Sequence, residues 1–270
     1  MTPTSAILHG FVQGITEFLP VSSTGHLILV RSLLEIEDSH ALAFDALLHL
    51  ATAAAVILYF WRDIWALIHT FMRYVGRMPV GARDVSLLFA IIVGTLPAAV
   101  AGFLLEGAIE TKFRSPFLVA SILVFGSILL GFAEYFYRKK KTEAKLVTVK
   151  TGFIVGLFQM LALLPGMSRS GATISGGMLF GLSRTEATRF AFLLAIPVIL
   201  GAGLKKTLEM LSLRGEISWG PVFLGALVAF TVGLASIHFM IRYLRTHTFW
   251  PFIWYRVVLA VVIILVVFAG

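Results

Sequence analysis

The chain of 270 residues is 59% hydrophobic and 13% charged, with a mean hydropathy of +0.94, a balance that excludes an ordinary soluble domain and marks an integral membrane protein. It contains no cysteine, which excludes disulfides, thiolate nucleophiles and thiolate metal sites. The formal charge of +8 sits mostly in short stretches between apolar runs, so it follows membrane topology and argues against a nucleic-acid partner.

Apolar runs occur at about 5–19, 24–34, 41–60, 84–105, 116–137, 149–164, 170–182, 187–204, 219–244 and 250–268. They are continuous and rich in Leu, Ala, Phe and Gly, the pattern of helices, whereas pore-forming barrels show short segments of alternating polarity. An all-α polytopic membrane protein of about ten segments is therefore expected. Six runs reach the roughly 20 residues needed to cross about 30 Å of hydrocarbon. The pairs flanking Pro20 and Pro165 are shorter and are expected to be re-entrant. No Lys or Arg precedes Arg31, so the first run is read as part of the mature protein and not as a secretory signal. If each short pair returns to its starting side, the stretches 61–83, 138–150, 183–189 and 242–248 share one face and hold most of the basic residues. The positive-inside rule makes that face cytoplasmic and puts both termini outside. Trp61, Trp65, Trp250 and Trp254 fit interfacial belts.

The sequence repeats itself. "GFVQGITEFLP" (10–20) and "GFIVGLFQMLALLP" (152–165) both begin Gly-Phe, repeat Gly four positions on and end Leu-Pro, at an offset of 142 residues. Glu17 falls opposite Gln159, and "SSTG" (22–25) falls opposite "SRSG" (168–171). With about five segments in each half, the halves 1–140 and 146–270 of one membrane domain would be inverted repeats whose broken helices meet near the bilayer midplane.

The chemistry concentrates at the two breaks. Gln13 and Glu17 are four apart and share a helical face, able to offer oxygens to one cation. Pro20 ends the first helix, and Ser22, Ser23 and Thr24 can cap the next, leaving a positive helix terminus that attracts phosphate. "PGMSRSGAT" (165–173) repeats the device with Ser168, Ser170, Gly171 and Thr173, and adds Arg169, whose planar fork suits phosphate oxygens. Some of these hydroxyls could merely satisfy backbone groups, and Arg169 could instead pair with Glu17. His26 follows Ser23 by three residues, the spacing expected of a base beside its nucleophile, although it could also bond across helices. Asp45 and His49 form a further four-residue pair, expected either behind the site or as an interhelical clasp.

No G-x-x-x-x-G-K-[ST] loop, H-E-x-x-H helix or G-x-S-x-G elbow is present. The motifs "QGITEFLPVSSTGH" and "LPGMSRSGATIS" together closely resemble the undecaprenyl-diphosphatase family of the bacitracin-resistance type, and the resemblance runs nearly end to end. It implies hydrolysis of undecaprenyl diphosphate, a membrane lipid substrate, to undecaprenyl phosphate in the bacterial plasma membrane, with a divalent cation, Mg²⁺ or Ca²⁺, as cofactor. It also implies roles for Glu17, Ser23, His26, Ser168, Arg169, Ser170 and Thr173. Gln13 departs from the commonest family pattern, which has glutamate there, so a two-carboxylate metal site is in doubt. Arg169, a cation held partly by Glu17, and both helix termini would bind the diphosphate while Ser23, deprotonated by His26, attacks the terminal phosphorus, or a water attacks in its place. The competing reading is an inverted-repeat transporter or flippase for the lipid phosphate or an ion.

Overall fold

The computed structural model describes residues 2–33, 41–113, 115–139, 146–212 and 219–269, and among these every regular element is an α-helix. In chain order they are α1 (Pro3–Thr16), α2 (Ser23–Leu33), α3 (Ala41–Tyr59), α4 (Trp61–Val75), α5 (Ala82–Lys112), α6 (Pro116–Lys139), α7 (Val149–Leu161), α8 (Arg169–Leu179), α9 (Arg184–Ser212), α10 (Trp219–Tyr243) and α11 (Trp250–Ala269). Five of them, α5, α6, α9, α10 and α11, are long and apolar enough to cross a membrane. The sixth expected span corresponds to α3, which qualifies only together with α4, from which it is bent by 79°. The stretch 61–83, read from the sequence as a basic loop, is therefore corrected. Most of it is α4, an amphipathic helix that exposes Trp61, Trp65, Phe71 and Met72 among its charges. Lys140 and Lys141 of the basic run lie outside the described residues.

Two short helices are packed as a matched pair. Each begins at a threonine cap: the Thr2 hydroxyl accepts from the Ser5 N–H of α1, and the Thr148 hydroxyl accepts from the Thr151 N–H of α7. Each carries two glycines four apart that bring a neighbouring backbone into contact. On α1, a Cβ at Gly10 would stand 2.2 Å from the Gly225 carbonyl oxygen, and one at Gly14 would stand 2.9 Å from that of Ala229. Along α7, a Cβ at Gly152 would meet the Ala90 oxygen at 2.4 Å and one at Gly156 the Gly94 oxygen at 2.3 Å. Small residues at these positions are what allow such close helix packing. Both numberings rise together in each contact, so α1 runs parallel to α10 and α7 parallel to α5. The first helix of each half of the chain thus lies against the fourth apolar segment of the other half.

The ends of α6 and α10 and the beginnings of α5, α9 and α11 converge on one side of the bundle, together with α4. There Arg189 pairs with Asp63, Ser86 donates to the Val147 carbonyl at 3.1 Å, and Arg184 grips Glu134 through two hydrogen bonds. α5 begins at this end, so α7 enters the bundle from it, while α10 ends here and α1 therefore enters from the opposite end. Glu134 is fully buried and its carboxylate is matched by the guanidinium that lies over the Tyr137 ring. Glu134→Ala leaves that cation without its partner, and the thermal stability of the detergent-solubilised protein is expected to fall by about 3 kcal/mol. Circular dichroism melting of wild type and variant measures it.

Candidate active site

The helices α1 and α7 end where the chain must turn. After Thr16 a turn over residues 17–21 runs through Pro20, and after Leu161 a similar irregular stretch leads through Pro165 and Gly166, whose φ of +97° suits glycine alone. Each break then passes through a serine held in the left-handed region, Ser22 with φ +73° and Ser168 with φ +69°. Both hydroxyls cap the helix that follows, accepting from the Gly25 N–H at 3.4 Å and the Gly171 N–H at 3.1 Å respectively. Strained non-glycine residues of this kind persist only where the surroundings enforce them. The result is two helix N-termini, those of α2 and α8, facing one small cleft.

That cleft, about 60 Å³, is lined by Thr16, Glu17, Ser22, Ser23, Thr24, His49, Ser168 and Arg169, with Ala162, Leu164 and Gly166 behind them. It adjoins a larger cavity of about 370 Å³ with which it shares Thr24, His49 and Arg169, and which also presents Arg31, Asp45 and Lys206. Glu17 is the hub. Its Oε2 accepts from the Ser23 hydroxyl at 3.0 Å and from Gln13 Nε2 at 3.0 Å, and lies 3.3 Å from His49 Nδ1. Its Oε1 faces Arg169 Nη1 at 3.5 Å. The Glu17 side chain is only 5% exposed, so these donors stand in for the water its carboxylate has lost.

Most sequence candidates meet here, but their pairing differs from what spacing suggests. Ser23 bonds Glu17 and not His26. Both nitrogens of His26 are engaged elsewhere: Nδ1 donates to the Ser22 carbonyl at 2.7 Å, which leaves Nε2 to accept from the Tyr255 hydroxyl, also at 2.7 Å. The two rings stack with their planes 6° apart. Spacing places His26 one turn beyond Ser22, and the Ser22 carbonyl captures it. Asp45 and His49 do share a face and a cavity, but Asp45 is paired with Arg31, which frees His49 to reach Glu17 and Gln13 across helices. Ser170, Gly171 and Thr173 lie behind the cleft. The Ser170 hydroxyl donates to the Leu19 carbonyl at 3.1 Å, tying the second break to the first, and Thr173 donates back to the Arg169 carbonyl at 2.7 Å. The bland reading of those two hydroxyls is the one the geometry favours.

The donor set for a cation is thin. Among the described residues no three of His, Asp and Glu cluster as ligands, and Glu17 is the one carboxylate lining the small cleft. Gln13 is fully buried with an amide oxygen that finds no partner among the described residues. Gln13 lines neither cavity and turns its amide nitrogen, not its oxygen, toward Glu17, so a hard cation in the cleft would have Glu17 as its protein ligand and would draw the rest of its shell from water and substrate phosphate. Gln159, opposite Glu17 in the second half, is 1% exposed with both amide atoms unpartnered among the described residues, so the two breaks differ in charge.

A family model described as "Bacitracin resistance protein BacA" matches residues 6–262. The chain belongs to that family. It is 42% identical over 274 residues to the undecaprenyl-diphosphatase of Micrococcus luteus, covering 100% of this chain and 99% of the relative. Similar matches are the undecaprenyl-diphosphatases of Trichlorobacter lovleyi, 42% identical with 93% of this chain and 92% of the relative covered, and of Thermobifida fusca, 41% identical with 100% and 92% covered. In this BacA-family chain two residues beside the cleft escape motif reading, Tyr255, which bonds His26, and the neighbouring Arg256, which bonds the Pro20 carbonyl. The signal available for Arg256 was a lone arginine inside the last apolar run, since ionisable groups within spans are costly and seldom idle.

Proposed function

We propose that this chain hydrolyses undecaprenyl diphosphate to undecaprenyl phosphate and inorganic phosphate, returning the lipid carrier for cell-envelope synthesis and conferring resistance to bacitracin. The observation that carries this reading is the Ser23 hydroxyl held 3.0 Å from a buried carboxylate, with a guanidinium opposite, between two helix N-termini. The full-length relatives bearing the name undecaprenyl-diphosphatase support it. Hydroxyl, base and guanidinium are an arrangement for chemistry on phosphate, which a site that only carries a solute does not require.

In this mechanism the terminal phosphate occupies the small cleft against Arg169 and the first-turn N–H groups of α2 and α8. Glu17 takes the proton of Ser23 as its Oγ attacks the terminal phosphorus. The bridging P–O bond breaks, undecaprenyl phosphate departs, and a phosphoserine remains. Water, deprotonated by the same carboxylate after it has lost its proton to solvent, then splits the P–Oγ bond. Positioning and charge neutralisation supply most of the acceleration, as in other phosphoryl transfers. A Mg²⁺ or Ca²⁺ held by Glu17 would add charge neutralisation on the phosphate oxygens. The larger cavity beside Thr24, His49 and Arg169 is suited to the inner phosphate and the start of the prenyl chain.

Localisation in the bacterial plasma membrane, both termini outside, and descent from two inverted repeats belong to the same proposal. The reciprocal packing of α1 on α10 and α7 on α5, the paired threonine caps and the two left-handed serines support the repeats. The charge on the α4 side supports that side being cytoplasmic.

The test is phosphate release from a polyprenyl diphosphate by purified protein in detergent, with and without chelator, and trapping of labelled phosphoenzyme. No release, or full release by Ser23→Ala, overturns the serine mechanism. His26 separates the carboxylate base from an imidazole base. His26→Asn removes the ring but leaves a donor near the Ser22 carbonyl. It is expected to lower kcat by about 10-fold, short of the loss of a general base, with a pH–rate profile of unchanged shape.

A further inference from the structure

Arg256, in the middle of the apolar helix α11, is 0% exposed, and no carboxylate pairs with it among the described residues. Its two terminal nitrogens instead face backbone carbonyls, while Nε finds no partner among the described residues. Nη1 donates to Pro20 at 3.3 Å, and Nη2 faces Leu123 at 3.3 Å, Gly166 at 3.3 Å and Met167 at 2.8 Å. Pro20 belongs to the first break and Gly166 and Met167 to the second. One planar fork thus joins the turns of both breaks, whose Pro20, Gly166 and Met167 carbonyls lie outside the regular helices and take no helical hydrogen bond. Two glycines make the room: a Cβ on Gly126 of α6 would stand 2.1 Å from Nη2, and one on Gly171 of α8 would stand 2.7 Å from Nη1.

A buried cation without a counter-ion is costly, and an apolar side chain would pack in α11 without that cost. What the guanidinium supplies that such a residue cannot is a fixed distance between the breaks. We propose that Arg256 is a positioning residue that sets the two breaks in register, so that Ser23 of one and Arg169 of the other face the same phosphate. The inference rests on the phosphatase reading for its effect on turnover, but its structural part stands by itself.

The test uses the full chain in detergent micelles, with Arg256→Met, Arg256→Lys and Gly126→Ala. The last keeps the charge and presses on the fork at 2.1 Å and on the Met167 carbonyl of the second break at 2.9 Å, so its effect on the first break, peptide 16–26, is the one that reports on Arg256. Arg256→Met is expected to lower kcat by about 100-fold with KM changed by less than about threefold, the loss that follows from a misplacement near 1 Å. Gly126→Ala should lower kcat by about 10-fold or more, and Arg256→Lys should fall between wild type and Arg256→Met, because an ammonium restores charge without the fork. Hydrogen exchange measured by mass spectrometry should quicken together in the peptides 16–26 and 164–174 of each variant, while peptides of α10 keep their wild-type rate. If Arg256→Met cannot be purified folded, Gly126→Ala and Arg256→Lys decide. Wild-type kcat in Gly126→Ala, or faster exchange in one break only, overturns the proposal. Should the wild-type protein release no phosphate, the phosphatase reading falls, and the exchange measurement alone decides whether Arg256 couples the breaks.

Discussion

Glu17→Gln is expected to lower turnover of a polyprenyl diphosphate by about 10³–10⁴-fold while leaving the folded protein intact. The amide is isosteric and can still accept from the Ser23 hydroxyl, now 3.0 Å from Oε2, so the geometry survives while the ability to take a proton and the negative charge are lost. Binding should move the other way. Glu17 places a negative charge beside Arg169 and so competes with the incoming phosphate for the guanidinium. With that charge gone, an inert methylene-bridged diphosphonate lipid should bind the variant at least as tightly as wild type. Loss of turnover with retained or tightened binding, read by single-turnover kinetics and equilibrium binding both with chelator and with added Mg²⁺, identifies a base when it is the same in the two conditions. Parallel loss of both would mean that Glu17 chiefly holds the site together, and the mechanism would fail.

Arg169→Ala is expected to cost about 10³–10⁵-fold in kcat/KM, the range seen when an arginine is removed from a phosphoryl-transfer site. Here binding should weaken along with turnover, the opposite of Glu17→Gln. Arg169→Lys restores the charge but not the flat pair of donors, and should recover only part of the loss. If Arg169→Ala retains activity within about 10-fold of wild type, the guanidinium is only a partner for Glu17 and the helix termini must carry the phosphate alone.

Much of this arrangement is legible in the order of the residues. Pro20 and Pro165 mark the breaks because proline cannot continue a helix, and the serines beyond them mark caps because their oxygens satisfy free N–H groups. Such signals are local, and they hold up. What sequence reading misses is long-range or composite. α4 reads as a loop because its arginines and histidine dilute its apolar residues below any spanning signal, although their spacing leaves an amphipathic face. His49 and Asp45 share a face as their spacing says, but which of them meets Glu17 depends on Arg31 from another helix claiming Asp45. His26 sits at a catalytic spacing from Ser23, yet the nearer carbonyl of Ser22 wins its proton. Arg256 gathers carbonyls from positions far apart in the chain, which no motif could reveal.

The crossed packing of α1 on α10 and α7 on α5 bears on how the polypeptide is made. When the ribosome releases α7, its groove on α5 already exists, and the helix can dock as it emerges. α1 is the first helix synthesised and must wait until nearly the whole chain has been inserted before its own groove on α10 appears. Until then its polar tip, Gln13 and Glu17 included, has only Ser23 of α2 and His49 of α3 beside it, and the pocket closes as one of the last events of biogenesis. Neither half released alone would complete it, so a protein cut in the 140–145 linker should regain activity only when both fragments are co-expressed.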